Sequence, residues 1–107
     1  MASDETGLGF KAPHPGSILK EDVLPELNMT VEQFADHLGM KRANLSAILN
    51  GKRAISTDVA IRLGKALQTG TRYWLAMQMQ YDLSHDIPNK ASLIDVKPFD
   101  GFDGAVA

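Results

Sequence analysis

The chain has 107 residues, 44% of them hydrophobic, which suits one compact domain with short extensions. Cysteine is absent, which excludes disulfides and thiolate chemistry, and no apolar run approaches the ~18 residues of a membrane span. With no basic-then-apolar leader in view either, a cytoplasmic setting is the expectation.

The formal net charge of −2 argues at first against nucleic acid, but its distribution does not. Residues 30–84 hold seven Lys and Arg against four acids. Residues 1–29 hold two Lys against five acids, and residues 85–107 hold two Lys against four Asp. A basic middle with acidic flanks is a local electrostatic footprint for DNA, and its modest size favours two copies binding together.

Residues 1–12, MASDETGLGFKA, are small and polar and predict an irregular N-terminal arm. His14 reads as a turn residue, since Pro15 suits the first position of a helix. Ile18, Leu19, Val23 and Leu24 then give a short amphipathic helix that Pro25 is expected to end.

The next stretch, Thr30 to Arg53, predicts two short helices joined by a tight turn. Thr30 with Gln33 three residues on is a capping box, so a helix starts at Val31. Val31, Phe34, Ala35 and Leu38 make its apolar stripe, and Gly39 is its left-handed stop. A second helix is expected from Arg42 to Asn50, closed by Gly51. Its buried side is Leu45, Ile48 and Leu49, and its outer side is Arg42, Ala43, Ser46, Ala47 and Asn50.

That outer side carries no acid and few long side chains, which is unlike an ordinary solvated face. Short residues let a helix lie deep in a groove, Arg42 can pair bidentately with guanine, and the Ala methyls can meet thymine methyls. Lys41, Lys52 and Arg53 stand at the two ends, where phosphates would pass. This is the pattern of a helix-turn-helix whose second helix reads DNA.

Ser56 is an N-cap, with Asp58 in the first turn of a fourth helix that continues through Ala60, Leu63, Gly64 and Leu67 to Gln68. Arg62 and Lys65 on it read as solvated charges. Gly70 breaks the chain. A fifth helix from Thr71 to Leu83 has two apolar stripes: Tyr73, Trp74, Met77 and Tyr81 on one side, and Leu75, Ala76, Met79 and Leu83 on the other. Gln78, Gln80 and Asp82 divide them. Two stripes imply two surfaces to bury against, the body of the domain and either a second copy of this helix or deeper core. In the first case Trp74, Leu75, Met77, Met79, Tyr81 and Leu83 are the candidate dimerisation residues.

Residues 84–107 lack a helical pattern. Leu93-Ile94-Asp95-Val96 reads as a short strand, and Phe99 and Phe102 sit among Asp and Gly. The segment is either a clasp for a partner or a loosely ordered end. No Ser/His/Asp order, paired carboxylates or glycine-rich phosphate loop is present, so no enzyme activity and no cofactor is expected. His14, His37 and His85 are far apart in sequence without ligand spacing, so no metal is expected either.

The run ADHLGMKRANLSAILNG resembles the phage-repressor type of helix-turn-helix. The wider pattern is similar to HigA-type antitoxins of toxin–antitoxin modules. His14-Pro15-Gly16 with Ile18-Leu19, Asn50-Gly51-Lys52-Arg53, Ile55 to Leu67, Trp74-Leu75 and Tyr81-Asp82-Leu83 match in order over about residues 13–84. One departure is Lys41, which stands where the family has a small capping residue, so either water supplies the cap or Lys41 is kept to reach DNA.

The resemblance implies an all-α fold, a five-helix domain over 13–84 with an arm at 1–12 and an irregular acidic tail at 85–107. By position in the motif, Arg42, Ala43, Ser46 and Ala47 would read bases, while Thr30, Lys41, Asn50, Lys52 and Arg53 would hold phosphates. It further implies a homodimer on double-stranded operator DNA. The protein partner would be a HigB-type, RelE-like ribonuclease toxin that this chain neutralises while repressing their shared operon. A stand-alone regulator of the same family is the alternative.

Overall fold

In the computed structural model, residues 11–101 are described, and they form five helices with no strand among them. Helix α1 runs through Pro15–Ile18, one π-helical turn Leu19–Val23, and Leu24–Leu27. Then follow α2 (Val31–Leu38), α3 (Arg42–Leu49) and α4 (Thr57–Leu67). Helix α5 begins as Thr71–Tyr81 and continues through a second π turn, Asp82–Asp86, into Ile87–Ala91.

The starts and stops have local causes. His14 caps α1, its Nδ1 accepting from the Gly16 N–H at 2.8 Å. Thr30 and Gln33 form the reciprocal capping box at the head of α2, at 3.1 and 2.9 Å. Gly39 ends that helix in the left-handed region at φ 72°. The Ser56 hydroxyl accepts from the Val59 N–H at the head of α4. Lys41 gives α3 no side-chain cap.

Pro25, expected to end a helix, is instead carried inside one, and so is Pro88. In an α-helix the Pro25 ring would crowd the carbonyl four residues back. A turn widened by one residue relieves this: the Leu24 N–H donates to the Leu19 carbonyl, five residues earlier, just before Pro25. The same device precedes Pro88, where the Ile87 N–H donates to the Asp82 carbonyl. Helix α1 therefore continues past Pro25 to Leu27, and Asn28, at φ 55°, ends it. The expectation of no helix beyond residue 84 is corrected as far as Ala91. Leu93-Ile94-Asp95-Val96 is not a strand, since residues 94–99 have no regular structure. Of the other terminal expectations, residues 1–10 and Phe102 lie outside the described residues.

The core draws on all five helices: Leu19 and Leu24; Phe34, Ala35 and Leu38; Leu45, Ile48 and Leu49; Ile55, Val59, Ala60 and Leu63; and Trp74. Each large side chain so buried contributes about 1.5–3 kcal/mol relative to exposure. Helices α1 and α3 approach each other closely. A Cβ on Gly16 would lie 1.8 Å from the Ile48 carbonyl oxygen, so only glycine lets α1 seat on the last turn of α3. His14 stands beside Gly51 in the same contact. The His14-Pro15-Gly16 and Asn50-Gly51 blocks, some 35 residues apart in the chain, are thus two sides of one joint.

Candidate nucleic-acid interface

Helix α3 buries Leu45, Ile48 and Leu49 and presents Arg42, Ala43, Asn44 and Asn50 to solvent, with Ser46 and Ala47 half-buried at the edge of the same face. Among the described residues, Lys41, Lys52 and Arg53 are exposed beside it, and Thr30 is exposed at the head of α2. The four candidate base-reading residues and the five candidate phosphate residues therefore all lie on, or border, α2 and α3. Thr30 Oγ1 already accepts the Gln33 N–H, leaving its hydroxyl proton free to donate.

Several side-chain contacts that set this geometry were not legible in the sequence. Arg62, read as a solvated charge, is corrected: it reaches from α4 to the turn between α2 and α3. Its guanidinium donates to the Leu38 carbonyl at 2.8 Å and the Gly39 carbonyl at 3.3 Å, while its Nε pairs with Asp58 at 2.9 Å. A cation at the C-terminal end of α2 also meets the negative end of the helix dipole. Arg53 folds back on α3, donating to Asn44 Oδ1 at 3.0 Å. Lys20 on α1 donates to Asn50 Oδ1 at 3.2 Å. Apart from Asp58, four residues before Arg62 on α4, these partners share no helical repeat, so spacing offered no signal for them.

Gln78, taken as a polar divider on α5, is buried. Its Oε1 accepts the Ile55 N–H at 2.8 Å and its Nε2 donates to Asp82 at 2.9 Å, which pins the link between α3 and α4 to α5. The candidate dimerisation residues separate by burial. Trp74 belongs to the core, with its indole N–H donating to Thr69 Oγ1 at 2.8 Å, so it has no surface to offer a second copy. Leu75, Met77 and Tyr81 are half-buried. Met79 (62% exposed) and Leu83 (40%) face outward, and the π-turn continuation adds Ile87 (49%).

His14 and His85, distant in sequence, both pack against Tyr81. The His14 ring packs edge-on at 4.8 Å and the His85 ring stacks at 4.5 Å. Burial pushes the His14 imidazole below its ordinary value of 6.5, partly offset by a backbone contact at Arg53 and by the Asp82 carboxylate. Nearby, the Ala12 N–H donates to Ser84 Oγ at 3.0 Å, so the last residue of the expected arm is fastened to α5.

The Helix-turn-helix family model matches residues 19–74. Virulence-associated protein A of Dichelobacter nodosus is 42% identical over 87 residues, 80% of this chain and 83% of the relative. Virulence-associated protein A' of the same organism is 45% identical over 67% of this chain, which spans 63% of that relative's length. Among solved structures, an addiction module antidote protein of the HigA family from Coxiella burnetii has a TM-score of 0.70 at 35% identity, over 84% of this chain and all of that one. Pseudomonas aeruginosa antitoxin HigA, solved with the higBA promoter, has a TM-score of 0.72 at 29% identity, over 82% of this chain and 98% of that one. The chain belongs to the phage-repressor, or XRE-type, helix-turn-helix family, and within it is similar to HigA-type antitoxins.

Proposed function

We propose that this protein is a sequence-specific, DNA-binding repressor that acts as the antitoxin of a HigBA-type module. The observation that carries the DNA reading is the outer face of α3, acid-free and small apart from Arg42, with Lys41, Lys52 and Arg53 at its ends. Arg42, Ala43, Ser46 and Ala47 read base edges; Thr30, Lys41, Asn50, Lys52 and Arg53 hold phosphates and fix the register. That the similar Pseudomonas aeruginosa protein was solved on a promoter supports the same docking.

Two copies bind together through the outward stripe of α5, Met79, Leu83 and Ile87, and place two reader helices in major grooves about one helical turn apart. The protein partner is a small basic ribonuclease of RelE-like, HigB type, a reading that rests on similarity to HigA antitoxins and suits the acidic flanks of the chain.

The test is fluorescence anisotropy on the duplex lying upstream of the chain's own gene, with a scrambled duplex of equal length, across a salt series. Tighter binding to the native duplex that persists as salt rises supports the repressor. Equal, steeply salt-sensitive binding to both would reduce the interaction to phosphates alone. For the toxin, a short basic reading frame beside the gene is expected, whose product co-purifies with this chain. Without such a neighbour the chain acts as a stand-alone regulator.

A further inference from the structure

We propose that Lys20, on α1 and outside the helix-turn-helix pair, is a phosphate contact that works with Asn50 as one clamp at the C-terminal end of the reader helix. The inference rests on the DNA reading above and adds to it a residue from a helix that the motif leaves as packing.

The argument starts from the joint between α1 and α3. Gly16 sits against the Ile48 carbonyl, and Lys20 lies four residues further along α1, on the same face of the helix. The close approach at Gly16 therefore sets Lys20 over the end of α3, where its Nζ donates to Asn50 Oδ1 at 3.2 Å. Lys20 and Asn50 are both exposed, so the ammonium keeps donors free on the solvent side.

The contact also decides which way the Asn50 amide points. With Oδ1 committed to Lys20, Nδ2 is turned toward Ser46 Oγ at 3.5 Å, and the amide presents N–H donors on the reading side of α3. Without the cation the amide could turn its oxygen outward, an acceptor that a phosphate repels. Lys20 thus supplies a charge and aims a donor. Lys52, two residues beyond Asn50, is exposed as well, while Arg53 folds back to Asn44 near the other end of the helix.

Salt dependence tests this directly. Each phosphate neutralised contributes about 0.9 to the slope of log K against log salt. On the native duplex, Lys20→Met should lower that slope by about one and weaken binding at low salt, while the ratio of native to scrambled affinity stays the same. Lys20→Arg should restore the slope, and Lys65→Met, removing an exposed charge on α4, should leave it close to wild type. Thermal melts of each variant establish that it is folded. A folded Lys20→Met with an unchanged slope would overturn the clamp while leaving the DNA reading intact. So would one whose native-to-scrambled ratio collapses, since Lys20 would then act by placing α3. Wild-type protein that binds neither duplex would overturn the DNA reading and the clamp with it.

Discussion

Arg62 and Leu38 lie 24 residues apart in the chain, yet the Arg62 guanidinium donates to the Leu38 carbonyl at 2.8 Å. Backbone N–H groups of Gly39 and Met40 take up the Asp36 and Ala35 carbonyls at the end of α2, and this side chain from α4 satisfies the last one, Leu38, at the turn between α2 and α3. Arg62→Ala should destabilise the fold by about 1–2 kcal/mol, toward the low end for a charged hydrogen bond because the side chain is 40% exposed. Asp58→Asn should cost less than about 0.5 kcal/mol, as exposed ion pairs do. Urea denaturation measures both, and equal losses would mean that the ion pair, not the carbonyl contact, is what matters.

The Ile55 N–H has one buried acceptor, the Gln78 side chain. Replacing it by an apolar residue of similar size leaves that N–H desolvated and unpaired. Gln78→Leu is expected to lose about 1–3 kcal/mol despite adding apolar surface, and Gln78→Met to lose a similar amount. A neutral or stabilising Gln78→Leu in urea titration would refute this reading of the link between α3 and α4.

Stability should fall on mild acidification because of His14. Its imidazole is pushed below 6.5 by burial, so the unfolded chain takes up this proton first. The unfolded state then binds more protons than the folded one, and stability rises with pH through that window. The His14 contribution is whole above about pH 6.5, falls as pH drops below it, and levels off below the depressed folded value. Nδ1 is also the acceptor for the Gly16 N–H, which protonation would remove. His14→Asn keeps a capping acceptor without the titration, so the stability difference between about pH 7.5 and about pH 5.5 should shrink in this variant.

Arg42 stands exposed in the first turn of α3. Arg42→Ala should cost roughly 1–3 kcal/mol on the native duplex and relax the preference at one base pair, read by anisotropy on duplexes substituted at single positions. A uniform loss across all sequences would place Arg42 on a phosphate instead.

Met79, Leu83 and Ile87 form an exposed apolar row along α5 and its continuation. Leu83→Asp should convert a dimer to a monomer by light scattering with helical content unchanged. Wild-type protein that is already monomeric at tens of micromolar would remove the α5 interface.

The sequence by itself determined what depends on near neighbours. Capping at Thr30–Gln33 and Ser56, the left-handed stop at Gly39, and the apolar stripes of α2 and α3 are set within one or two turns of chain. Their signals are therefore written at fixed spacings, and so is the exposed face of α3 with its candidate reading residues. The tertiary structure decided what depends on distant chain meeting. The joint of Gly16 with Ile48, the reach of Arg62 to the α2–α3 turn, the burial of Gln78 under Ile55 and the placing of Lys20 over Asn50 all join different helices. A polar residue looks solvated on its own helix until another segment brings it a partner. A proline ends an α-helix by local sterics, yet at Pro25 and Pro88 a turn widened by one residue carries the helix through it.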